Sequence, residues 1–189
     1  MIKRILAVVI LCSVLASLLS GCAYYGIYED KRLLDTMSND KSKATRIKTA
    51  ILNKDFTEGL SLSVYCFYNK VYIVGEIPQK LIETIENIAK RYQPDSVTIH
   101  NFPPKKGVES DFLLATRLRT HLIKAKGLSS TRIETEVNAG RCVLLGVVES
   151  DRERAIAKKT AHRVPGIQSV TSYLLLPPNN APAKSEETP

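Results

Sequence analysis

The stretch ATRIKTAIL at residues 44–52 returns as ATRLRTHLI at residues 115–123, a displacement of 71 residues with four identical positions. At the same displacement, VYIVGEI at residues 71–77 aligns with CVLLGVV at residues 142–148, and both have glycine at the fifth position. The first pair has the apolar spacing of an amphipathic helix and the second pair that of a strand. A helix and a glycine-bearing strand recur in register, which predicts two copies of one structural unit.

The length of the chain is compatible with one domain or with two small ones. Its 189 residues, read together with the repeat, favour two units of about 60 to 70 residues each. Units of this size are near the lower limit for a stable core of their own. We therefore expect the two units to pack on each other, and a flexible pair is the alternative.

The N-terminus has the layout of a bacterial secretory signal. Lys3 and Arg4 precede an apolar run at residues 5–19, and residues 1–21 are predicted to be removed as a signal peptide. The run ends in LSGC at residues 19–22, which resembles the lipobox of bacterial lipoproteins. This resemblance implies acylation of Cys22. Because Ala23, not Asp, follows the cysteine, it also implies anchoring at the periplasmic face of the outer membrane; an ordinary signal peptide with a chance cysteine is the alternative.

Charge is unevenly distributed along the chain. The formal net charge is +8, and removal of Lys3 and Arg4 leaves 25 basic against 19 acidic residues, or +6. Residues 105–163 contain 13 Lys or Arg against 7 Asp or Glu, whereas residues 43–102 contain 8 against 6. Such an excess suits an anionic partner surface, and a merely solvated surface is the alternative.

The cysteines do not predict a disulfide framework. Cys12 leaves with the signal peptide and Cys22 is acylated, so only Cys66 and Cys142 remain to pair in an oxidising compartment. Strand alternation places each of these two thiols on the core side of its own unit. We therefore predict two buried, unbridged thiols.

The predicted elements give each unit the order α-β-β-α-β. Residues 22–41 are predicted to be a tether, residues 42–102 the first domain, residues 103–110 a Pro- and Gly-containing linker, residues 111–176 the second domain and residues 177–189 a disordered tail. In the second domain, Ser150 and Glu153 form a capping-box pattern for a helix. The predicted helices cover residues 42–53, 79–91, 111–125 and 151–163, and the predicted strands cover residues 60–68, 71–77, 96–102, 133–137, 142–148 and 168–176.

The fold class that follows is α+β, with two tandem domains that each have a three-stranded mixed sheet and two helices on one face. The opposite face of each sheet is predicted to be apolar, which is unusual for a solvent-exposed surface. We therefore expect the partner domain to cover these faces. The residues concerned are Tyr65, Phe67, Tyr72, Val74, Val143, Leu145 and Val147.

No catalytic, metal or cofactor constellation stands out. His100, His121 and His162 lack the short spacings of a metal site. The chain has no Gly-rich phosphate loop and no nucleophile-elbow pattern. Export across the inner membrane also removes the opportunity to bind nucleic acid. We therefore predict a protein that is not an enzyme, has no cofactor and presents a surface as its functional site.

The first helix of the second unit is the candidate surface. With Leu118 pointing inward, 3.6-residue periodicity turns an apolar strip outward and places basic residues at its sides. A solvated helix, or a helix packed on the other domain, is the alternative. The candidate lipid-binding residues are Leu113, Thr116, Thr120 and Ile123 in the strip and Arg117, Arg119 and Lys124 at its edges.

The second unit carries a recognisable pattern. LLGVV at residues 144–148, DRERA at residues 151–155 and VPGIQSV at residues 164–170 resemble the BON domain family, and the internal repeat extends the resemblance to the first unit. With the lipobox, the chain resembles outer-membrane lipoproteins with two BON domains. The resemblance implies a non-enzymatic protein that binds anionic phospholipid through its second BON domain and supports envelope integrity. The alternative is a periplasmic adaptor that binds outer-membrane assembly proteins.

Overall fold

A computed structural model describes residues 34–104 and 110–178. The predicted signal peptide, Cys22 and parts of the predicted tether, linker and tail lie outside these residues. The helices are α1 Leu34–Lys54, α2 Phe56–Leu60, α3 Gln79–Lys90, α4 Asp111–Lys124 and α5 Asp151–His162, with a 3-10 turn at Ser130–Arg132. The strands are β1 Ser63–Phe67, β2 Lys70–Gly75, β3 Ser96–Asn101, β4 Ile133–Asn138, β5 Arg141–Val147 and β6 Ser169–Leu175.

The strands form two sheets of identical topology. The first has the order β1-β2-β3 and the second β4-β5-β6. In each, the first two strands pair antiparallel as a hairpin, and the third pairs parallel to the central strand after a helical crossover. The α+β class with two three-stranded mixed sheets is therefore confirmed. The strand register also preserves the repeat, since Tyr65 pairs with Tyr72 and Glu136 pairs with Val143.

The first helix begins at Leu34, not near Ser42, so the prediction of a tether is wrong for residues 34–41. This segment is polar in sequence, yet Met37 and Asp40 on it are buried. The Asp40 carboxylate accepts hydrogen bonds from the backbone N–H groups of Tyr68 at 2.8 Å and Asn69 at 3.0 Å. A tertiary contact of a charged residue, which periodicity cannot reveal, therefore extends the helix.

The same contact recurs in the second domain. Asp111 accepts a hydrogen bond from the backbone N–H of Ala139 at 2.7 Å, and both residues lie 71 positions after their counterparts Asp40 and Tyr68. The residues of both hairpin turns have positive φ, as a two-residue turn with the twist of the strands requires. An aspartate on the first helix thus holds the hairpin turn in each domain.

A short helix precedes β1 and was not predicted. Helix α2 is capped by Asp55, whose carboxylate accepts a hydrogen bond from the backbone N–H of Glu58 at 3.1 Å. The D-x-x-E spacing at residues 55–58 is a capping signal that the sequence contains. Because α2 occupies residues 56–60, β1 begins at Ser63 and is shorter than predicted.

Each domain has its own core, and a third cluster lies between the sheets. The first core contains Cys66 and the second contains Cys142, and neither thiol is in a disulfide, as predicted. Burial raises the pKa of the Cys142 thiol to about 12, which keeps it protonated and unreactive. The third cluster joins residues from both sheets, so the expected coverage of the apolar faces is confirmed. Its buried members are Phe67, Tyr72, Val74, Phe102, Val143, Leu145 and Val147.

Polar contacts at this interface join corresponding positions of the two domains. The Tyr65 hydroxyl donates to the carboxylate of Glu136, which lies 71 residues later in the matching strand. Burial, together with this carboxylate, raises the pKa of Tyr65. His100 Nδ1 lies 3.1 Å from the Tyr173 hydroxyl, again between matching strands. Contacts between equivalent positions are the mark of an approximate two-fold arrangement of the sheets.

Candidate functional site

Helix α4 buries one face and exposes large apolar side chains on the other. Leu114, Leu118 and Leu122 are buried in the core of the second domain. On the outer side, Leu113 is 55% exposed and Ile123 is 62% exposed. Both are residues of the predicted lipid-binding set, and their exposure indicates a surface that can exchange water for an apolar partner.

Thr116 and Thr120 lie between these apolar side chains. The Thr116 hydroxyl donates to the carbonyl of Phe112 at 2.8 Å, and the Thr120 hydroxyl donates to the carbonyl of Thr116 at 2.9 Å. Bonds of this kind, one turn back along the helix, supply the hydroxyl with an acceptor that does not depend on water. The exposed strip can therefore lose water without leaving these two donors unbonded.

Sequence reasoning missed Phe112, which is 77% exposed. It lies one turn before Thr116, and α4 therefore presents Phe112, Thr116, Thr120 and Ile123 along one line. The i, i+4 relation to Thr116 was the signal that could have found it. With Phe112 included, the apolar surface extends from the first turn of α4 to its last.

The basic residues on α4 are not equivalent. Arg117 donates to the carbonyl of Pro165 at 2.9 Å, and Arg119 donates to the carbonyl of Ile133; both side chains are partly buried. Lys124, in contrast, is exposed in the last turn of the helix. The structure therefore gives Arg117 and Arg119 contacts within their own domain, and it leaves Lys124 at the edge of the apolar strip.

The first domain shows that the contact of Arg119 belongs to the fold. Lys48, 71 residues earlier, donates to the carbonyl of Leu62, and Leu62 lies 71 residues before Ile133. The same interaction thus occurs in both copies between corresponding residues. The recurrence of a basic residue at this position of the repeat was the signal that sequence reasoning did not use.

Helix α5 carries further basic residues on the same domain. It packs against α4, and Arg152, Lys158 and Lys159 on it are exposed. Arg154 is instead engaged in an ion pair with Asp151 at 2.7 Å. The exposed cations raise the positive potential of the second domain, as its charge balance predicted.

The second domain also contains a buried ion-pair cluster. Arg132 contacts Glu153 through two Nη2 bonds of 2.9 and 3.2 Å and contacts Glu149 at 2.9 Å. The Glu153 carboxylate further accepts from the backbone N–H groups of Ser129 at 2.7 Å and Glu149 at 2.6 Å. These bonds join the 3-10 turn to the start of α5, which is a structural role.

The part of the chain that the structure describes contains neither a metal-binding cluster nor a helix suited to span a membrane. Within residues 34–104 and 110–178, no group of three or more His, Cys, Asp or Glu side chains is placed to hold a metal ion. In the same part of the chain, no helix has the length and apolar character needed to span a membrane. Of the three histidines, His100 has its pKa lowered by burial and by the nearby charge of Arg141.

Comparison with known proteins identifies the second domain. Two solved structures of the type III secretion protein CdsD of Chlamydia trachomatis, one of them its C-terminal domain, are similar to this chain at 14% and 12% identity, each with a TM-score of 0.31. Each match covers 74% of this chain; the first covers 67% of the CdsD chain and the second 64%, which is just under two thirds. The family model described as the BON domain matches residues 110–178. Residues 110–178 of this chain are a BON domain.

Proposed function

We propose that this chain is an outer-membrane lipoprotein that binds anionic phospholipid through α4 of its BON domain and thereby supports envelope integrity. BON domains are associated with membrane or phospholipid binding and with non-enzymatic roles in the envelope. The observation that carries the proposal is the exposure of Phe112, Leu113 and Ile123 on one helix whose last turn bears the exposed Lys124.

The energies involved are sufficient for reversible binding. Full burial of a side chain such as Leu, Ile or Phe contributes about 1.5 to 3 kcal/mol. A cation near an anionic membrane contributes about 1 kcal/mol. Partial insertion of three apolar side chains, with Lys124 and the cations of α5 near lipid phosphates, supports a surface-bound helix.

The domain organisation is part of this proposal. Residues 34–102 form a first BON-like domain, which extends the predicted 42–102 by the start of α1, and residues 111–176 form the second, separated by a linker at residues 103–110. The repeated aspartate-to-turn contact and the repeated contact of Lys48 and Arg119 support common ancestry of the two units. The first unit is therefore proposed to be a BON-like domain that lacks the apolar helix face.

Changing Leu113 and Ile123 to Asp should weaken binding to anionic vesicles by roughly tenfold or more, since the change removes the apolar contact and adds two charges that the membrane repels. The measurement is flotation of residues 23–189 with vesicles of phosphatidylglycerol in phosphatidylcholine. This chain lacks the acylated cysteine and retains every residue that the structure describes, 34–104 and 110–178.

The first domain supplies the control for this experiment. Phe56 and Leu60 on α2 are 67% and 61% exposed, similar to the residues of α4, and changing both to Asp adds the same charge. These changes should reduce flotation only slightly. Equal losses from both pairs would show that net charge alone attracts the protein. No loss from either pair, with the fold retained, would favour the adaptor function.

The mature protein is expected to begin at an acylated Cys22, a residue outside the described part of the chain. The reason is the lipobox-like LSGC at residues 19–22. Intact mass of protein extracted from membranes should show a diacylglyceryl thioether and an N-acyl chain on this cysteine. A free N-terminus elsewhere, or unchanged fractionation of Cys22→Ala, would contradict the lipoprotein assignment.

A further inference from the structure

The first domain contains a polar cleft that the lipid-binding surface does not include. The cleft has a volume of about 750 Å³ and lies between the N-terminal half of α1, the β1–β2 turn and the end of α3. Three cations line it, Lys43, Arg46 and Arg91, together with amide and hydroxyl side chains. It therefore combines positive charge with groups that bond to neutral oxygens.

In the part of the chain that the structure describes, ion pairs leave the positive charge of the cleft uncompensated. Across the described ranges 34–104 and 110–178, Lys43, Arg46 and Arg91 form no ion pair with a carboxylate. Lys43 Nζ donates to the side-chain oxygen of Asn69 and, at 3.2 Å, to the carbonyl of Gln93. These neutral acceptors hold the ammonium group in place without cancelling its charge.

The two aspartates near the cleft, Asp40 and Asp95, already accept hydrogen bonds from other groups of the first domain. Asp40 lines the cleft, but its carboxylate accepts hydrogen bonds from the backbone N–H groups of the β1–β2 turn. Asp95 accepts from the side chain of Asn69 at 2.6 Å. The guanidinium of Arg46 lies over the ring of Tyr92, 5.2 Å from its centroid, which orients it beside the cleft. The cations exceed the acids, and one of the arginines is pre-positioned.

The second domain provides a comparison within the same molecule. Lys43 corresponds to Leu114, which is buried in the core of that domain. Tyr92 follows the end of α3, and at the matching place after α5 stands Val164, which is also buried. Arg46 corresponds to Arg117, which bonds to the carbonyl of Pro165. Buried apolar side chains thus replace Lys43 and Tyr92 in the second domain, whereas the arginine at position 46 has a basic counterpart.

We propose that this cleft binds a phosphorylated polyol. Arginine donates paired hydrogen bonds to phosphate oxygens, so Arg46 and Arg91 would hold the phosphoryl group and Lys43 would add a third positive charge. The side chains of Asn39, Ser42 and Asn69 suit the hydroxyl groups of the polyol. The volume lies within the range of about 300 to 1,000 Å³ that is common for small-molecule sites. The source is either a soluble phosphate ester or a lipid headgroup.

The test uses residues 23–189 and sn-glycerol 3-phosphate as the soluble probe, with binding followed by calorimetry. Arg46→Gln with Arg91→Gln should weaken binding by about tenfold or more, because two charge-assisted hydrogen bonds are lost. Lys54→Gln with Lys80→Gln is the matched control, since both residues are exposed in the first domain outside the cleft and the change in net charge is the same. This control should alter affinity less than about twofold.

Two further measurements separate the possible sources and guard against misfolding. In the unchanged protein, the side-chain amide signals of Asn69 and Gln93 should shift in NMR spectra on addition of glycerol phosphate. A lipid headgroup is the source if glycerol phosphate does not bind and the Arg46 and Arg91 changes reduce flotation with phosphatidylglycerol vesicles. The control pair should not reduce flotation in that case. Ile123→Asp should leave glycerol phosphate binding unchanged. The proposal for the cleft and the proposal for lipid binding by α4 can therefore fail independently of each other. The proposal would be overturned if the Arg46 and Arg91 changes reduced neither glycerol phosphate binding nor flotation. It would also be overturned if the control pair reduced binding equally.

Discussion

Glu153→Ala is expected to lower the free energy of unfolding by about 3 to 5 kcal/mol, because removal of one partner leaves a buried charge without compensation. Glu153 accepts two hydrogen bonds from the buried guanidinium of Arg132 and one each from the backbone N–H groups of Ser129 and Glu149. Its own backbone N–H donates to Ser150, which caps α5. One substitution therefore removes the acceptor that joins three segments.

Urea unfolding followed by circular dichroism measures this effect. Asp151→Ala is the matched control, since Asp151 pairs with Arg154 on the same helix but is exposed. An exposed pair contributes only about 0 to 1 kcal/mol, so the control should remain close to the unchanged protein. A loss at Glu153 no larger than that at Asp151 would show that Glu149 alone compensates the charge of Arg132.

The elements that sequence predicted well are those in which local pattern and tertiary role agree. The repeat located the first helix and the central strand of each domain. Period-2 alternation predicted the apolar face of each sheet, and these two faces are in contact. Ser150 was predicted as a cap, and its hydroxyl accepts the backbone N–H of Glu153 at 3.2 Å. Alternation and capping depend on neighbours within a few residues, and the repeat compares two segments of the same chain, which is why one sequence was enough.

The misplaced start of α1 has the opposite cause. Ser38 to Lys41 are polar, and a polar run without periodicity is typical of a tether. Asp40 is nevertheless buried, because its carboxylate bonds to a turn almost 30 residues away, as its contact with Asn69 shows. Nothing within the segment indicates the contact with these distant N–H donors. Only comparison with Asp111, its counterpart in the repeat, would have indicated it.

The candidate lipid-binding site also has features that the sequence predicted and features that it did not. The outward direction of Leu113 and Ile123 followed from helical periodicity, and both are exposed. The basic edge was predicted from the same periodicity. Arg117 and Arg119 nevertheless donate hydrogen bonds to the backbone carbonyls of Pro165 and Ile133, which lie outside α4. Periodicity gives the direction in which a side chain leaves the helix. It does not give the groups that a long side chain reaches.

The repeat also makes a stability prediction for its central glycines. Gly146 has φ of +130°, and a Cβ built on it would lie 2.0 Å from the carbonyl oxygen of Arg132. Gly146→Ala must therefore strain its own backbone and displace the segment that carries the buried ion pair. We expect a loss of about 3 kcal/mol or more in the free energy of unfolding.

Gly75→Ala is the internal control for Gly146→Ala, since Gly75 occupies the corresponding position in β2. A Cβ there would lie 2.8 Å from the carbonyl oxygen of Ser61 and 2.7 Å from the side chain of Leu62, which can move. The contacts of the added Cβ are longer than at Gly146. Gly75→Ala should therefore lower the free energy of unfolding by about half as much as Gly146→Ala, or less. Urea unfolding of both variants under one set of conditions makes the comparison. Equal losses would mean that the approach of the preceding backbone, common to both domains, sets the cost and that the positive φ of Gly146 adds nothing.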